Sequence, residues 1–292
     1  MNQNNSSQFK PRKKIRFSLN KQDTSQEIFK LIKRLYLQTY RRPSGLIISI
    51  IQPLLWLVLF GALFQYAPIY LFEKTNMKYR DFLNPGIIIF TSFNSSINAG
   101  LPIIFDREFG FINRILSSPI KNKNSLVYSC ILHTLNITLV QILIITLITS
   151  NNINNNYSIN VIKVILCTSI ITIITTSISN ISICNAFILP GHIEFIALNS
   201  LLINLPTLFA STALAPMSFM PYWLQVICCI NPLTYAIEIT RYNMIDKILT
   251  LNTYIIKTSW LTVNIKQGIV ILLLMNVINF LLVRRIIKYK YD

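Results

Sequence analysis

Three consecutive charges, Asp106-Arg107-Glu108, stand immediately after a long apolar run. Phe109, Phe111, Ile112, Ile115 and Leu116 follow at helical spacing, with Gly110 and Arg114 among them. Charge followed by a short amphipathic helix supports two kinds of chemistry. It can dock in a partner's groove through apolar anchors at i, i+3 and i+4, or lie flat on lipid headgroups. Covalent chemistry has much less to draw on. His133 and His192 belong to no HExxH set, and no GxSxG elbow surrounds a serine. Cys130, Cys167, Cys184, Cys228 and Cys229 form no CxxC and pair with no histidine, which reads as small buried hydrophobes. There is no phosphate-cradling GxxxxGK(S/T) loop, so any use of ATP must come from another polypeptide. No catalytic residue, metal site or cofactor is expected.

A second unusual stretch, residues 205–241, carries Pro206, Pro216, Pro221 and Pro232. A membrane-crossing helix needs about 20 apolar residues in succession. The apolar pieces after Pro216 are about half that length, interrupted at Pro221 and at Asn231-Pro232. Proline removes a backbone donor and turns the preceding residue away from helix. Half-length apolar pieces of this kind read as a hairpin, about residues 217–240, that dips into the membrane and returns. Such backbone is tolerated at depth only inside protein or beside a water-filled cavity.

The elements that would position these residues follow from composition. The chain has 292 residues, of which 52% are hydrophobic and 13% charged; soluble domains carry about 25% charged residues. The fold class is therefore an all-α polytopic membrane protein. The net charge of +17 does not point to nucleic acid, because 11 of the 27 Lys and Arg lie before Pro43. Basic clusters beside a first span suit anionic lipid headgroups and the positive-inside rule. The first residues, MNQNNSSQFKPRKK, are too polar for a signal peptide. Abundant Ile, Asn and Lys, including NNINNN at 151–156, are the residues of AT-rich codons and suggest an AT-rich genome such as a plastid's.

Residues 1–22 are expected to be a disordered basic tail, followed by one transmembrane domain over 23–292. Within 24–42, Ile28, Leu31, Ile32, Leu35 and Tyr36 recur at helical spacing between basic residues, which predicts an amphipathic helix in the interface plane. Thr24 with Glu27 resembles a capping box at its start. Six spans follow, at about 46–64 (with Pro53 expected to kink it), 85–105, 126–148, 161–189, 195–215 and 269–283. The hairpin lies between the fifth and sixth. Basic residues number 19 on the face holding both termini and the 106–124 link, against 7 on the other. Both termini are thus expected on the cytoplasmic or stromal side, with the hairpin on the far side. Asn94, Asn98 and Asn204 are interior polar residues that suit a path lining.

Three segments carry a resemblance. RRPSGLIISIIQPLLWLVLFGALF at 41–64, YRDFLNPGIIIFTSFNSSINAGLPIIFDREFGFINRILSSPI at 79–120, and 205–241 with P-x-S-x-x-P-x-W-L at 216–224 and NPLTYAIEITR at 231–241 come in the right order. From about residue 30 to its end the chain resembles the ABC transporter type-2 permease family, in particular plastid-encoded members of red-algal type. The resemblance implies a permease dimer, two copies of this chain in the homodimeric case, with each copy docked on a separate ATPase subunit. It implies export, in a plastid membrane or otherwise a bacterial inner membrane. By position, Asp106, Arg107, Glu108, Gly110 and Arg114 would couple to the ATPase. Pro216, Pro221, Trp223, Asn231, Pro232, Tyr235 and Arg241 would form the hairpin or gate. Membrane lipids are the other expected partner, and nucleic acid is not one. The competing function is an ATPase-independent channel or membrane assembly factor.

Overall fold

Apolar runs long enough to cross a bilayer set the architecture, and a computed structural model describes residues 21–64, 79–111, 114, 124–150, 161–188, 202–245, 252–258 and 261–291. The elements are α1 (Lys21–Arg41), α2 (Pro43–Leu63), α3 (Tyr79–Ile97), a 3-10 turn at Asn98–Gly100 and α4 (Leu101–Glu108). Then come α5 (Asn124–Ser150), α6 (Val161–Ile188) and a helical stretch at 202–209. α7 (Tyr222–Ile230), α8 (Pro232–Ile245), β1 (Tyr254–Lys257), β2 (Thr262–Asn264) and α9 (Ile265–Tyr291) complete the chain.

Five of these helices are long and apolar enough to span a membrane: Pro43–Leu63, Asp81–Glu108, Asn124–Thr149, Val161–Ile188 and Ile265–Ile286. Burial ranks them. The α3–α4 span is 72% buried by its neighbours, whereas α2 is 11% buried. α3 is therefore the central post, packed on α2, α5, α6 and α8. α2 leaves Ile47, Ile48, Ile51, Leu55, Val58 and Leu59 uncovered.

Three apolar clusters organise the packing. Ile88, Phe93, Ile174, Leu208, Ile237 and Leu272 belong to the largest, which joins α3, α6, the 202–209 stretch, α8 and α9. A second gathers Leu35 of α1, Ile103 and Ile104 of α4, Val127 of α5, Ile183 of α6 and Val283 of α9. It brings α1, α4 and the later part of α9 to one end of the bundle. A third holds Leu57, Tyr79, Phe82, Leu83 and Ile87 at the opposite end.

Polar side chains add lateral bonds between helices, the usual cement where lipid gives no hydrophobic drive for association. Asn276 Nδ2 donates to Thr176 Oγ1 at 3.0 Å, and Asn279 Nδ2 to Ser177 Oγ at 2.7 Å, tying α9 to α6.

Several expectations are corrected. α3 begins at Tyr79, ahead of the Asp81–Glu108 span and of the start expected near Pro85, because Tyr79, Phe82 and Leu83 are buried and extend the helix. Thr24 and Glu27 lie inside α1, which already includes Lys21, so they form no capping box; Glu27 instead accepts a hydrogen bond from Ser125 Oγ at 3.2 Å. The fifth span was expected over 195–215; among its described residues, helix covers 202–209 and gives way to turns from Ala210. Residues 195–201, like the tail 1–20 and the loop 151–160, lie outside the described residues.

The fold is mostly helical, with one short β-hairpin among the described residues. β1 and β2 pair antiparallel in the register Ile256↔Val263 and Lys257↔Thr262, with an irregularity beside Tyr254. Ile256 and Val263 are buried in the largest cluster, so burial of two β-branched residues, not hairpin propensity alone, accounts for the strands.

Candidate functional site

The charged run that ends the central post divides into an inward and an outward half. Helix α4 carries Asp106 and Arg107 back into the bundle. Asp106 is buried and forms an ion pair with Arg34 of α1. Arg107 Nη1 donates to the Ala186 carbonyl of α6 at 3.0 Å. Arg34 also lies over the Phe111 ring, 4.1 Å from its centroid, a cation–π geometry. Glu108, Phe109, Gly110 and Arg114 are exposed. Gly110 has φ +68° and its amide bonds the Arg107 carbonyl at 3.2 Å. That is the left-handed residue which ends many helices and which glycine alone adopts without cost. Ile112, Ile115 and Leu116 lie outside the described residues.

Beside this corner is a cavity of about 600 Å³ between α1, α2, α3–α4 and α5. Arg41, Arg42 and Gln38 border it, with Ser49, Gln52, Asn94 and Gln141 along its inner wall. These amides are linked: Asn204 Nδ2 donates to Asn94 Oδ1 at 2.8 Å, Asn94 Nδ2 to Gln52 Oε1 at 3.3 Å, and Gln141 Nε2 to Ser49 Oγ at 2.7 Å. Of the three asparagines singled out in the sequence, Asn94 and Asn204 join this row. Asn98 lines the cavity too, but its amide donates back to the Asn94 carbonyl of its own helix at 3.0 Å. His133 also borders the cavity; its Nε2 meets Thr39 Oγ1 at 3.0 Å, and Tyr36 sets its ring edge-on at 5.0 Å.

At the opposite end the proline-broken stretch forms a second polar centre. A helix end leaves its last carbonyls without intrahelical partners. The end of the 202–209 helix has this need, and side chains from elsewhere meet it. Asn231 Nδ2 donates to the Thr207 carbonyl at 3.0 Å and to the Ala210 carbonyl at 2.8 Å. Arg241 Nη2 donates to the Thr212 carbonyl at 2.7 Å, and Tyr79 Oη to the Leu214 carbonyl at 2.8 Å. Arg241 is buried, paired with Glu238, and stacked 3.7 Å from the Phe82 ring centroid. Burial pushes the Tyr79 phenol up to about 12, against the opposing pull of Arg241, so Tyr79 is a neutral donor.

The breaks themselves are local. Asn231 Oδ1 accepts the Leu233 amide at 3.0 Å, capping α8 with Pro232 in its first turn. The Pro221 carbonyl accepts the amides of Leu224 and Gln225, and Pro216 precedes the 3-10 turn Met217–Phe219. Tyr235 Oη closes the corner onto the Cys229 carbonyl at 2.6 Å. Six of the seven expected hairpin residues therefore shape or bond this unit. Trp223 does not; it is 64% exposed on the surface of α7.

Two glycines fix how closely the post approaches its neighbours. A Cβ at Gly86 would lie 2.6 Å from the Ala213 carbonyl oxygen, and one at Gly100 the same distance from that of Ser182. Ser182 Oγ also accepts the Gly100 amide at 3.0 Å and donates to the Ile97 carbonyl, holding the 3-10 turn.

The sequence reading missed Arg34, Gln52, Gln141, Glu238, Tyr79, Thr212 and Ser182. A polar residue inside an apolar span signals an interior partner, which would have flagged Gln52 and Gln141. Nothing local marks Tyr79 or Ser182, whose roles depend on residues 135 and 85 positions away.

The chain is similar to known proteins along most of its length. The family model described as ABC-2 type transporter matches residues 26–245. Relatives carrying the name transport permease ycf38 are similar over nearly the whole chain. That of Porphyra purpurea is 44% identical over 267 residues, covering 91% of this chain and 90% of the relative. That of Pyropia yezoensis is 45% identical over 267 residues, with the same coverage. The Cyanophora paradoxa protein is 42% identical over 266 residues, covering 90% and 89%.

Proposed function

This chain is a member of the ABC-2 type transporter family, and from that premise we propose that it is the permease subunit of an ATP-binding cassette exporter. It works as a homodimer and is driven by a separate ATPase subunit. The observation that carries this reading is the exposed Glu108–Gly110 turn, fastened to the bundle through Asp106 to α1 and through Arg107 to α6. A docking element transmits force only if it is anchored, and this one is anchored to two helices.

The remaining roles follow from position. α1 is the interfacial helix, and the 202–209 helix belongs to a sixth membrane element beside the five long spans. The helices α7 and α8 form the re-entrant hairpin that gates the exit. Both termini lie on the ATPase side, as the basic-residue distribution favours. The uncovered aliphatic row of α2 offers surface to the second copy and to lipid. The algal relatives, named as transport permeases, favour a plastid membrane over a bacterial inner membrane.

Purification from native membranes should bring an ATPase subunit with the chain. Glu108→Lys or Arg114→Glu should uncouple ATP hydrolysis from transport. Normal ATPase stimulation and transport in both variants would overturn the coupling assignment. Passive conductance by the purified chain, with no ATPase attached, would favour a channel instead.

A further inference from the structure

The cavity beside the charged corner has a charged mouth, a polar wall and a lateral opening. Its volume of about 600 Å³ falls within the range of small-molecule sites. From Arg42 to Gln52 the α2 helix rises about 15 Å, half the hydrocarbon thickness of a bilayer, so the cavity is about one leaflet deep. Arg41 and Arg42 are exposed at its mouth. Asp106 also lines it, but that carboxylate is already paired with Arg34. The wall is made of neutral amides. Gln141 is 3% exposed, and its carbonyl oxygen has no donor among the described residues. A buried acceptor left unpaired is costly, and a ligand hydroxyl would satisfy it. On the lipid side, an added Cβ at Gly45 would meet nothing within 4 Å, and Ile48 is 62% exposed. The cavity therefore opens through α2 toward the membrane.

We propose that this cavity binds the phosphorylated, hydroxyl-bearing headgroup of an anionic amphiphile. The phosphate faces Arg41 and Arg42, a hydroxyl reaches Gln141, and the acyl chain leaves past Gly45 and Ile48. The open flank on α2 favours a lipid over a free phosphate, since only a lipid uses it. The proposal deepens the exporter reading by naming a ligand class, and rests on that reading only for the ligand's onward fate.

The test is native mass spectrometry of the full chain in neutral detergent. The probes are lysophosphatidylglycerol, lysophosphatidylcholine and glycerol 3-phosphate. Lysophosphatidylglycerol should be retained, with the other two at least about tenfold weaker, roughly the loss of one charge-assisted hydrogen bond. The double variant Arg41→Gln/Arg42→Gln should lose a similar factor. Gly45→Phe should also lose it, with an unchanged melting temperature, because the ring fills the opening and not the core. Arg284→Gln/Arg285→Gln, exposed basic residues at the end of α9, should bind as the natural chain does.

Equal retention of lysophosphatidylcholine would overturn the proposal. So would a folded Arg41→Gln/Arg42→Gln or Gly45→Phe variant with unchanged binding, or an equal loss in the α9 variant. Tight binding of glycerol 3-phosphate would overturn the amphiphile and leave a soluble anion. The assay needs neither ATPase nor transport. A chain that binds the lipid but does not export it fails the exporter reading while keeping the site.

Discussion

Arg34 pairs with Asp106 beside the Phe111 ring; at the other end of the bundle Arg241 pairs with Glu238 beside the Phe82 ring. The components match, but their wiring differs. Arg34 reaches a partner 72 positions away on another helix and keeps 24% of its side chain exposed, at the edge of the charged turn. Arg241 finds its carboxylate three residues back on its own helix, is 6% exposed, and also holds the Thr212 carbonyl. The first is a clasp between two helices, reachable by solvent. The second is a sealed hub that fixes one broken segment. Charge at a clasp can be exchanged during work, whereas charge in a sealed hub can only be kept.

The contrast predicts a ranking of damage. Arg241→Met should cost the most, about 3–5 kcal/mol, because it leaves Glu238 partly buried without its cation; thermal unfolding in detergent would show it, and a shift no larger than that of a surface variant would dissolve the distinction. Asn231→Ala should come next at about 1–3 kcal/mol, since the Thr207 and Ala210 carbonyls lose their donor, with protease sensitivity appearing first near Ala210. Asp106→Asn should cost less, about 1–2 kcal/mol, because solvent reaches Arg34 and screens the loss. Its larger effect should fall on ATPase stimulation, which an assay of the assembled transporter would read. Trp223→Ala should change stability by less than about 0.5 kcal/mol, the expected value for an exposed residue that touches neither centre.

These two centres were unequally legible in the sequence. The breaks in the 205–241 stretch were readable because proline acts on its own backbone and that of its neighbour: Pro221 stands at the start of α7 and Pro232 opens α8, where the sequence suggested interruptions. The charged turn was readable as a patch of charge, but its split was not. Whether Asp106 points inward depends on an arginine 72 positions earlier, and no local pattern carries that information. The same reason hides Tyr79, whose hydroxyl meets a carbonyl 135 positions later. The β-hairpin escaped because its strands are four and three residues long, too short for alternation to stand out from a polar link. Helix ends shifted where hydropathy was a poor guide, as at Tyr79, where buried aromatics extend α3 beyond the apolar run.

The joint at Asn98–Gly100 gives the central post a mechanical character. Gly100 rests against the Ser182 backbone with no room for a methyl group, so the post is pinned there as a lever is pinned at its fulcrum. On the proposed coupling, a push at Glu108 is a torque about that pin, with α4 as the short arm. The longer arm, α3, carries Asn94 just beyond the pin, with its amide row across to Gln52 and Asn204. On that proposal the cavity wall sits nearer the pin, and the close contact of Gly86 with Ala213 lies farther along the same arm. Loading and release would in that case be two strokes of one lever, ordered by where it is pinned.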